Sequence, residues 1–294
     1  MGEIFSHFSY VYIKKNMAQN CKFYKEKKQV SYDNGVTFVD VVPAEYRKGE
    51  LIERASPDCG YVDYSNQYLT FEAISAGTFS FSGTSSSTIN NSSIQYSLDS
   101  GSTWYTLNRE VQSPTVSAGQ KIMWKGSLTP NTNSGNYGIG RFYSTNSFNI
   151  EGNAMSLLYG DNFDGQTSLS GKNDVFVHLF RGCTDLISAE NLVLPATTLS
   201  STCYWGMFFG CTSLTTAPEL PAATLVGRCY GEMFEGCTSL SYVKCLATDI
   251  SATNCTYAWL SSVSSSGTFV KASTMSSWES GASGIPSNWT VQNA

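Results

Sequence analysis

The sequence has little charge, little histidine and no long apolar run. Charged residues are 14% of the 294 residues, against about 25% in an average soluble protein. The net charge is −5, which argues against a basic groove for nucleic acid. No apolar run reaches the roughly 18 residues of a membrane span. The two histidines, His7 and His178, leave little material for acid–base or metal chemistry.

The sequence is rich in apolar residues and in uncharged polar residues. Hydrophobic residues make up 41% and aromatic residues 13%, so the chain can bury cores and is not a wholly disordered protein. Its length predicts two or three domains. Residues 1–60 hold nine of the 18 basic and eight of the 23 acidic side chains. The rest is solubilised by hydroxyl and amide groups, as is common in β-rich extracellular and virion fibre proteins.

The charge-dense residues 1–60 predict an N-terminal attachment segment that orders on a partner, with a small solvated β-hairpin domain as the alternative. The four lysines of residues 22–28 and the stretch VPAEYRKGELIE at 42–53 resemble the leaders of fibre-like and appended phage proteins. The start has no basic stretch ahead of an apolar one, so we expect no secretory signal. Met17, followed by polar residues, is an alternative start.

Nine cysteines are present, and seven of them follow residue 180. Cys203, Cys229 and Cys255 lie 26 residues apart, as do Cys211 and Cys237. The sequence has no Cys-x-x-Cys pair, which argues against a zinc site. A disulfide framework stays open, although the odd count and the missing signal argue against it. The spacing favours small buried thiols at equivalent positions of a repeat.

An internal repeat is the strongest signal in the chain. Residues 203–214 read CYWGMFFGCTSL and residues 229–240 read CYGEMFEGCTSL, with nine of twelve positions identical. An earlier copy ends at 178–186, and a degenerate copy runs from 245 to 260. A period of 26 residues predicts a solenoid, in which every coil buries the same row of side chains. Each unit has a short strand candidate, at 214–218 or 240–244, and a helical or turn-like segment. The glycine before the second cysteine fits a corner with positive φ.

The Met-Phe-x-Gly-Cys-Thr-Ser-Leu units at 207–214 and 233–240, together with Leu-Pro-Ala-x-Thr-Leu, resemble the BspA-like leucine-rich repeat family. The resemblance covers about residues 155–290. It implies a short leucine-rich-repeat solenoid and a role in surface adhesion and host or matrix binding. The tail around Trp278 and Trp289 resembles the ending of such arrays in gut bacteria and their phages, and would cap the last coil.

Between about residues 61 and 152 the pattern changes to alternation. Leu69, Phe71 and Ala73 fall on one face, and Phe79 and Phe81 on another. Short strands separated by Gly-, Ser- and Asn-rich turns predict a small β-sandwich. The sequence therefore predicts a mainly β protein with an N-terminal segment (1–60), a β-sandwich domain (61–152) and a leucine-rich-repeat domain with a C-terminal cap (153–294).

Residues 97–104 match the Asp-box pattern Ser-x-Asp-x-Gly-x-Thr-Trp, and residues 31–38 form a weaker copy. In sialidase-like propellers this box is a hairpin away from the catalytic centre. The Asp caps the turn, the Gly takes the left-handed position and the aromatic residue packs beneath. We interpret both copies as structural hairpins, because two isolated boxes fall far short of the regular series in a propeller.

An enzyme would need a convergent set of polar groups. Four carboxylates lie in loop-like sequence with no recognisable pairing: Asp161, Asp164, Asp174 and Asp185. His178 is near Cys183, but the equivalent Cys237 has no histidine beside it, which disfavours a Cys–His nucleophile. We therefore predict no enzyme activity and no catalytic, cofactor-binding or metal-binding residues.

A binding role fits the repeat better, because solenoids offer an extended face. Four aromatic residues flank the repeat cysteines and are candidates for an exposed binding stripe, or equally for core packing: Tyr204, Trp205, Tyr230 and Tyr257. We predict an adhesion or structural protein on the virion surface, a phage fibre or capsid-decoration protein that attaches through its N-terminal segment to virion proteins. Its partner would be a host surface protein or glycan, without nucleic acid or membrane insertion, and it could be a homo-oligomer. The alternatives are a bacterial cell-surface adhesin and a carbohydrate-processing accessory module.

Overall fold

The chain is mainly β, as predicted. The computed structural model describes residues 63–82, 94–108, 111–130 and 138–294, and the backbone of five short strands within residues 22–52. Helix in these ranges is confined to α1 (Ser156–Tyr159) and a following 3-10 turn (Gly160–Asn162). The chain forms two compact units, Met1–Asp63 and Tyr64–Ala294.

The first unit carries two small antiparallel sheets. Its strands are β1 (Lys22–Phe23), β2 (Gln29–Ser31), β3 (Phe38–Asp40), β4 (Glu45–Arg47) and β5 (Glu50–Ile52). The sheets have the orders β1-β2-β3 and β4-β5. Ser31 of β2 lies opposite Phe38 of β3, so paired strands flank the weaker Asp-box copy, whose loop lies outside the described residues. Cys21 and Cys59 also lie outside them, and the attachment role stays a prediction.

The second unit begins with an antiparallel module, in which the residues predicted to share a face are buried: Leu69, Phe71, Ala73, Phe79 and Phe81. Its strands are β6 (Leu69–Ala73), β7 (Phe79–Ser82), β8 (Ile94–Ser97), β9 (Tyr105–Leu107), β10 (Lys121–Gly126), β11 (Arg141–Ser144) and β12 (Phe148–Asn153). Strands β12, β6, β10, β8 and β9 are neighbours in that order in a large sheet, and β11 pairs with β7 separately. The two sheets meet through Phe71, whose ring centroid lies 5.2 Å from Phe79 and 4.8 Å from Phe142.

The C-terminal half is a β-solenoid of about four coils. Its strands are β13 (Leu186–Val193), β14 (Thr216–Leu220), β15 (Tyr242–Cys245), β16 (Thr268–Lys271) and β17 (Thr290–Asn293). Each strand pairs in parallel with the one before it. Thr216, Tyr242 and Thr268 are aligned across three strands, which reproduces the 26-residue period of the sequence.

Module and solenoid share one sheet and one core. Strand β12 is antiparallel to β6 on one side and parallel to β13 on the other, so the ten-stranded sheet is continuous across residue 153. Phe142 of the module stacks on Phe180 of the first coil with ring centroids 5.6 Å apart. Phe180 in turn stacks on Phe208 at 5.4 Å, and Phe208 on Phe234 at 5.4 Å.

The cysteines of the solenoid form buried columns. All seven described thiols are free and buried. Cys211 donates a hydrogen bond to the carbonyl oxygen of Phe180 at 3.0 Å, and Cys237 donates one to that of Phe208 at 3.1 Å. Burial raises the pKa of Cys237 to about 12, so the thiol is protonated at neutral pH. The prediction of buried repeat thiols is confirmed for these residues.

The last coil is covered by the segment 272–289. Trp278 stacks on Trp259 with centroids 5.4 Å apart and planes within 10°. Trp259 Nε1 donates to the carbonyl oxygen of Gly284 at 2.8 Å, and Trp289 Nε1 donates to that of Ser264 at 2.8 Å. These contacts keep the end of the solenoid core away from water.

Candidate functional site

Between consecutive strands, each coil has a second segment built from successive β-turns: residues 173–183, 201–211, 227–237 and 253–262. In the second coil, Trp205 N donates to Thr202 O at 3.1 Å and Phe209 N to Gly206 O at 3.0 Å. The segments also bond to one another, since Tyr204 N donates to Cys229 O at 3.0 Å. This arrangement satisfies backbone groups without a helix. We call the outward-facing residues of these four segments the turn face.

Residues of the turn segments alternate in pairs between the core and the turn face. In the second coil, 203–204 and 207–208 are buried, whereas 201–202, 205 and 209–210 reach the surface. The last residue of each outward pair has positive φ: 57° at Thr202, 55° at Gly206 and 71° at Gly210. The φ of 75° at Gly236 repeats the predicted glycine corner. The period is therefore four residues.

This period separates the four predicted aromatic residues. Tyr204 and Tyr230 are both 1% exposed and pack against each other in a core column, with ring centroids 5.9 Å apart and planes tilted by 34°. Trp205 is partly exposed and Tyr257 is 50% exposed. The predicted stripe is thus corrected to Trp205 and Tyr257, because the core positions leave no ring surface for a ligand. Whether these two bind anything stays a prediction.

Trp205 and Tyr257 meet across a coil that has no side chain between them. Their ring centroids are 6.2 Å apart and their planes within 10°, although they belong to the second and fourth coils. Gly231 of the third coil occupies the equivalent position, and a Cβ there would overlap the Trp205 ring. The indole therefore leans over the glycine to reach the tyrosine.

Charged groups border this aromatic pair. The guanidinium carbon of Arg228 lies 6.0 Å from the Trp205 ring centroid, within cation–π range. Burial raises the pKa of Glu232, and Glu235 raises it further, against a lowering by a hydrogen bond from Trp205 and by Arg181. The pair can thus offer ring faces together with hydrogen-bonding groups.

Phe209 is a third aromatic residue of the turn face, and sequence reasoning missed it. It is partly exposed, and the guanidinium carbon of Arg181 lies 4.8 Å from its ring centroid. Phe209 follows Trp205 by four residues, which is the period of the outward pairs. That period is the signal that would have identified it, because Phe208 beside it is fully buried.

The histidine and the four aspartates considered as catalytic candidates in the sequence make contacts within the fold or lie exposed on its surface. His178 packs over Gly206, and its pKa is lowered to about 4 by burial and then by Arg181 and Arg141. Asp161 accepts hydrogen bonds from Lys125 Nζ and from Tyr68 Oη, both at 2.7 Å. Two further carboxylates, Asp164 and Asp185, are exposed, and Asp174 accepts a hydrogen bond from Thr202.

Asp161 also lines a shallow cavity of about 320 Å³, between the module and the 3-10 turn, together with Lys125, Tyr159 and Asn162. The two charged groups that line the cavity are paired with each other, because Lys125 Nζ and Asp161 Oδ1 form an ion pair. The cavity therefore has no charged group left to orient a ligand.

The box at 97–104 is a hairpin between β8 and β9, as predicted. Gly101 N donates to Ser97 Oγ at 2.9 Å, and Thr103 N donates to Asp99 Oδ1 at 2.8 Å. Gly101 has a φ of 86°, and Trp104 packs against it. The Ser97, Asp99 and Gly101 groups of the box therefore hold the turn.

In the described ranges, no three His, Cys, Asp or Glu side chains are grouped to hold a metal ion, and no helix is long and apolar enough to cross a membrane. Comparisons of the chain with protein-family models, with curated proteins and with solved structures give no significant match.

Proposed function

We propose that this chain is a non-enzymatic binding protein of a virion appendage, and that its turn face binds a host surface glycan or protein. The stacked pair Trp205 and Tyr257 carries this proposal. Half of Tyr257 is exposed, and Gly231 leaves room for the indole. An exposed aromatic pair held by three coils is a pre-organised contact surface, because little side-chain freedom is lost on binding.

A glycan suits this surface for chemical reasons. The faces of sugar rings carry C–H groups that pack on aromatic rings, while Arg228 and Glu232 can hydrogen-bond the hydroxyl groups. A chain with 14% charged residues attracts few non-specific ionic partners. Binding would then depend on shape and stacking rather than on net charge.

The proposal includes the architecture expected from the resemblance. We propose that the coils are leucine-rich repeats of the BspA-like type and that β6–β12 form a β-sandwich. The Gly-Cys-Thr-Ser units lie at equivalent turns before β14 and β15, and two sheets meet at Phe71. Residues 1–60 would attach the chain to virion proteins, placing it on the virion surface.

The thiols support a non-enzymatic role. A cysteine nucleophile needs a lowered pKa and access to substrate. Cys183 and Cys237 are buried, and burial raises the pKa of each to about 12. His178, whose pKa is lowered to about 4, is neutral at pH 7.

A glycan array and a host-cell binding assay with the full chain test the proposal. Trp205→Ala and Tyr257→Ala should each weaken binding at least about tenfold, since aromatic contacts of this kind dominate interface energies. Tyr105→Ala is the matched control, because Tyr105 is 52% exposed but lies on β9 in the module. Equal binding by all three variants and the parent chain would remove the turn face as the binding surface.

A further inference from the structure

Two arginines, Arg141 and Arg181, lie at the first turn segment of the turn face. Arg141 belongs to β11, which runs beside the first turn segment because Phe142 N donates to Leu179 O at 2.9 Å. The guanidinium group of Arg141 rests on that segment, since a Cβ added at Gly182 would lie 2.9 Å from one of the Nη atoms of Arg141. Arg181, next to Gly182, is exposed. The charges of both arginines act on His178.

Neither arginine forms an ion pair with a carboxylate among the described residues, although the charge of Arg181 acts on the nearby Glu232 carboxylate. The ion pairs in these ranges join Lys121 to Glu151, Lys125 to Asp161 and Lys244 to Glu219. Arg141 Nε is buried without a hydrogen-bond partner. A buried donor without an acceptor costs free energy and calls for an explanation.

Aromatic rings hold both guanidinium groups in place. The guanidinium carbon of Arg141 lies 4.6 Å from the ring centroid of Tyr143, and that of Arg181 lies 4.8 Å from Phe209. A guanidinium group held beside a ring still carries its N–H donors along the edges of its plane. Those edges form the fork that binds a planar or tetrahedral oxyanion with two parallel hydrogen bonds.

We propose that Arg141 and Arg181 form a binding site for an oxyanion, a carboxylate or sulfate group, at the first coil. The anion would accept hydrogen bonds from both guanidinium groups and satisfy the buried Arg141 Nε. It would be either a free ion or the acidic group of a sugar. The site is independent of the proposed function, since neither Trp205 nor Tyr257 is needed to hold it.

The test follows His178 by NMR while sodium sulfate is added to the full chain, with sodium chloride at equal ionic strength as reference. The chain has one other histidine, His7, so the imidazole signals are simple to assign. Sulfate should shift the His178 signals saturably, and chloride should not. Parallel titrations with glucuronate and with neutral glucose tell a free ion from an acidic sugar: glucuronate binding alone, sulfate binding alone, or both would each support an oxyanion site.

Variants locate the site. Arg181→Gln should weaken anion binding about tenfold, the loss expected for one charge-assisted hydrogen-bond pair. Arg141→Gln should do the same, and Arg181, being exposed, gives a variant that folds if Arg141→Gln does not. Lys172→Gln is the matched control, because Lys172 Nζ also lies over an aromatic ring, 5.1 Å from the centroid of Tyr159. Equal shifts with sulfate and chloride, or unchanged sulfate binding in both arginine variants, would overturn the proposal.

Discussion

Core residues and turn-face residues alternate every two residues along the turn segments, but their residue types vary differently from coil to coil. Inside, one column holds phenylalanine in three successive coils, Phe180, Phe208 and Phe234, stacked at 5.4 Å. On the turn face, the column through Trp205 changes from tryptophan to Gly231 to Tyr257. The column through Phe209 changes equally, with Arg181 before it and Glu235 after it.

The difference separates folding from recognition. A core column must fill its space at each coil, because each side chain packs against those above and below it. A turn-face position is fixed only in its backbone, so any residue that tolerates the turn can stand there. Between the second and third coils, repetition therefore marks the residues that build the solenoid, and departure from repetition marks turn-face positions available for binding.

Two adjacent phenylalanines test this comparison most strongly. Phe208→Ala should lower the free energy of unfolding by about 3–5 kcal/mol, since it empties a buried aromatic column. Phe209→Ala should cost less than about 1 kcal/mol, because Phe209 is partly exposed on the turn face. Urea unfolding of both variants measures the difference, and similar costs would mean that the two sets of positions do not differ in role.

A glycine pair tests the turn face itself. Gly231→Ala should displace the Trp205 indole, which an added Cβ would overlap, and so change tryptophan fluorescence and weaken binding, at a stability cost of about 1 kcal/mol. Gly227→Ala is the control, since its nearest neighbour would be Thr253 O at 3.8 Å. A fluorescence change as large for Gly227→Ala would contradict the described contact.

His178 lies between the core and the turn face in character, because it is an outward-facing residue that is half-buried. Its pKa of about 4 in the folded chain lies below the ordinary value of 6.5. The unfolded chain therefore binds more protons between these values, and the stabilisation present above pH 6.5 is lost as the pH falls toward 4. His178→Asn, which tolerates the φ of 58°, should flatten this part of a melting-temperature profile. An unchanged slope would assign the pH dependence to other groups.

The smallest expected effect concerns a core position. The Tyr204 hydroxyl is buried without a hydrogen-bond partner, so Tyr204→Phe should raise the free energy of unfolding by about 1 kcal/mol. It should leave glycan binding unchanged, in contrast to Trp205→Ala one residue away. A loss of binding in Tyr204→Phe would show that the core column influences the turn face.

The 26-residue period predicted the solenoid and its buried thiols. The strand candidates at 214–218 and 240–244 begin two residues before β14 and β15. Leu214 and Leu240 end the preceding turns instead, since Leu214 N donates to Cys211 O and Leu240 N to Cys237 O. Hydrophobic periodicity places residues in the core, but it does not say where a turn gives way to a strand.

The turn segments themselves were beyond sequence reasoning. Two buried residues followed by two exposed ones resemble a helical period, which explains the helical or turn-like interpretation. Non-glycine residues such as Arg228, Glu232 and Ala258 have φ between 50° and 58°, which local preference disfavours. Hydrogen bonds from neighbouring coils impose this conformation, as when Glu232 N donates to Tyr257 O at 2.7 Å. Consequently Tyr204 and Trp205 could not be told apart from sequence.

Because the sheet is continuous, strand β12 of the antiparallel module provides the edge on which β13 of the first coil pairs. Cutting the chain near residue 153 would uncover the β13 edge and strip the Phe142 ring from Phe180. An unpaired edge of this kind recruits other strands, so a separated solenoid would be expected to self-associate before it met any ligand. Adhesion measured on such a fragment would reflect pairing of the exposed β13 edge. Recognition therefore has to be studied with the intact chain.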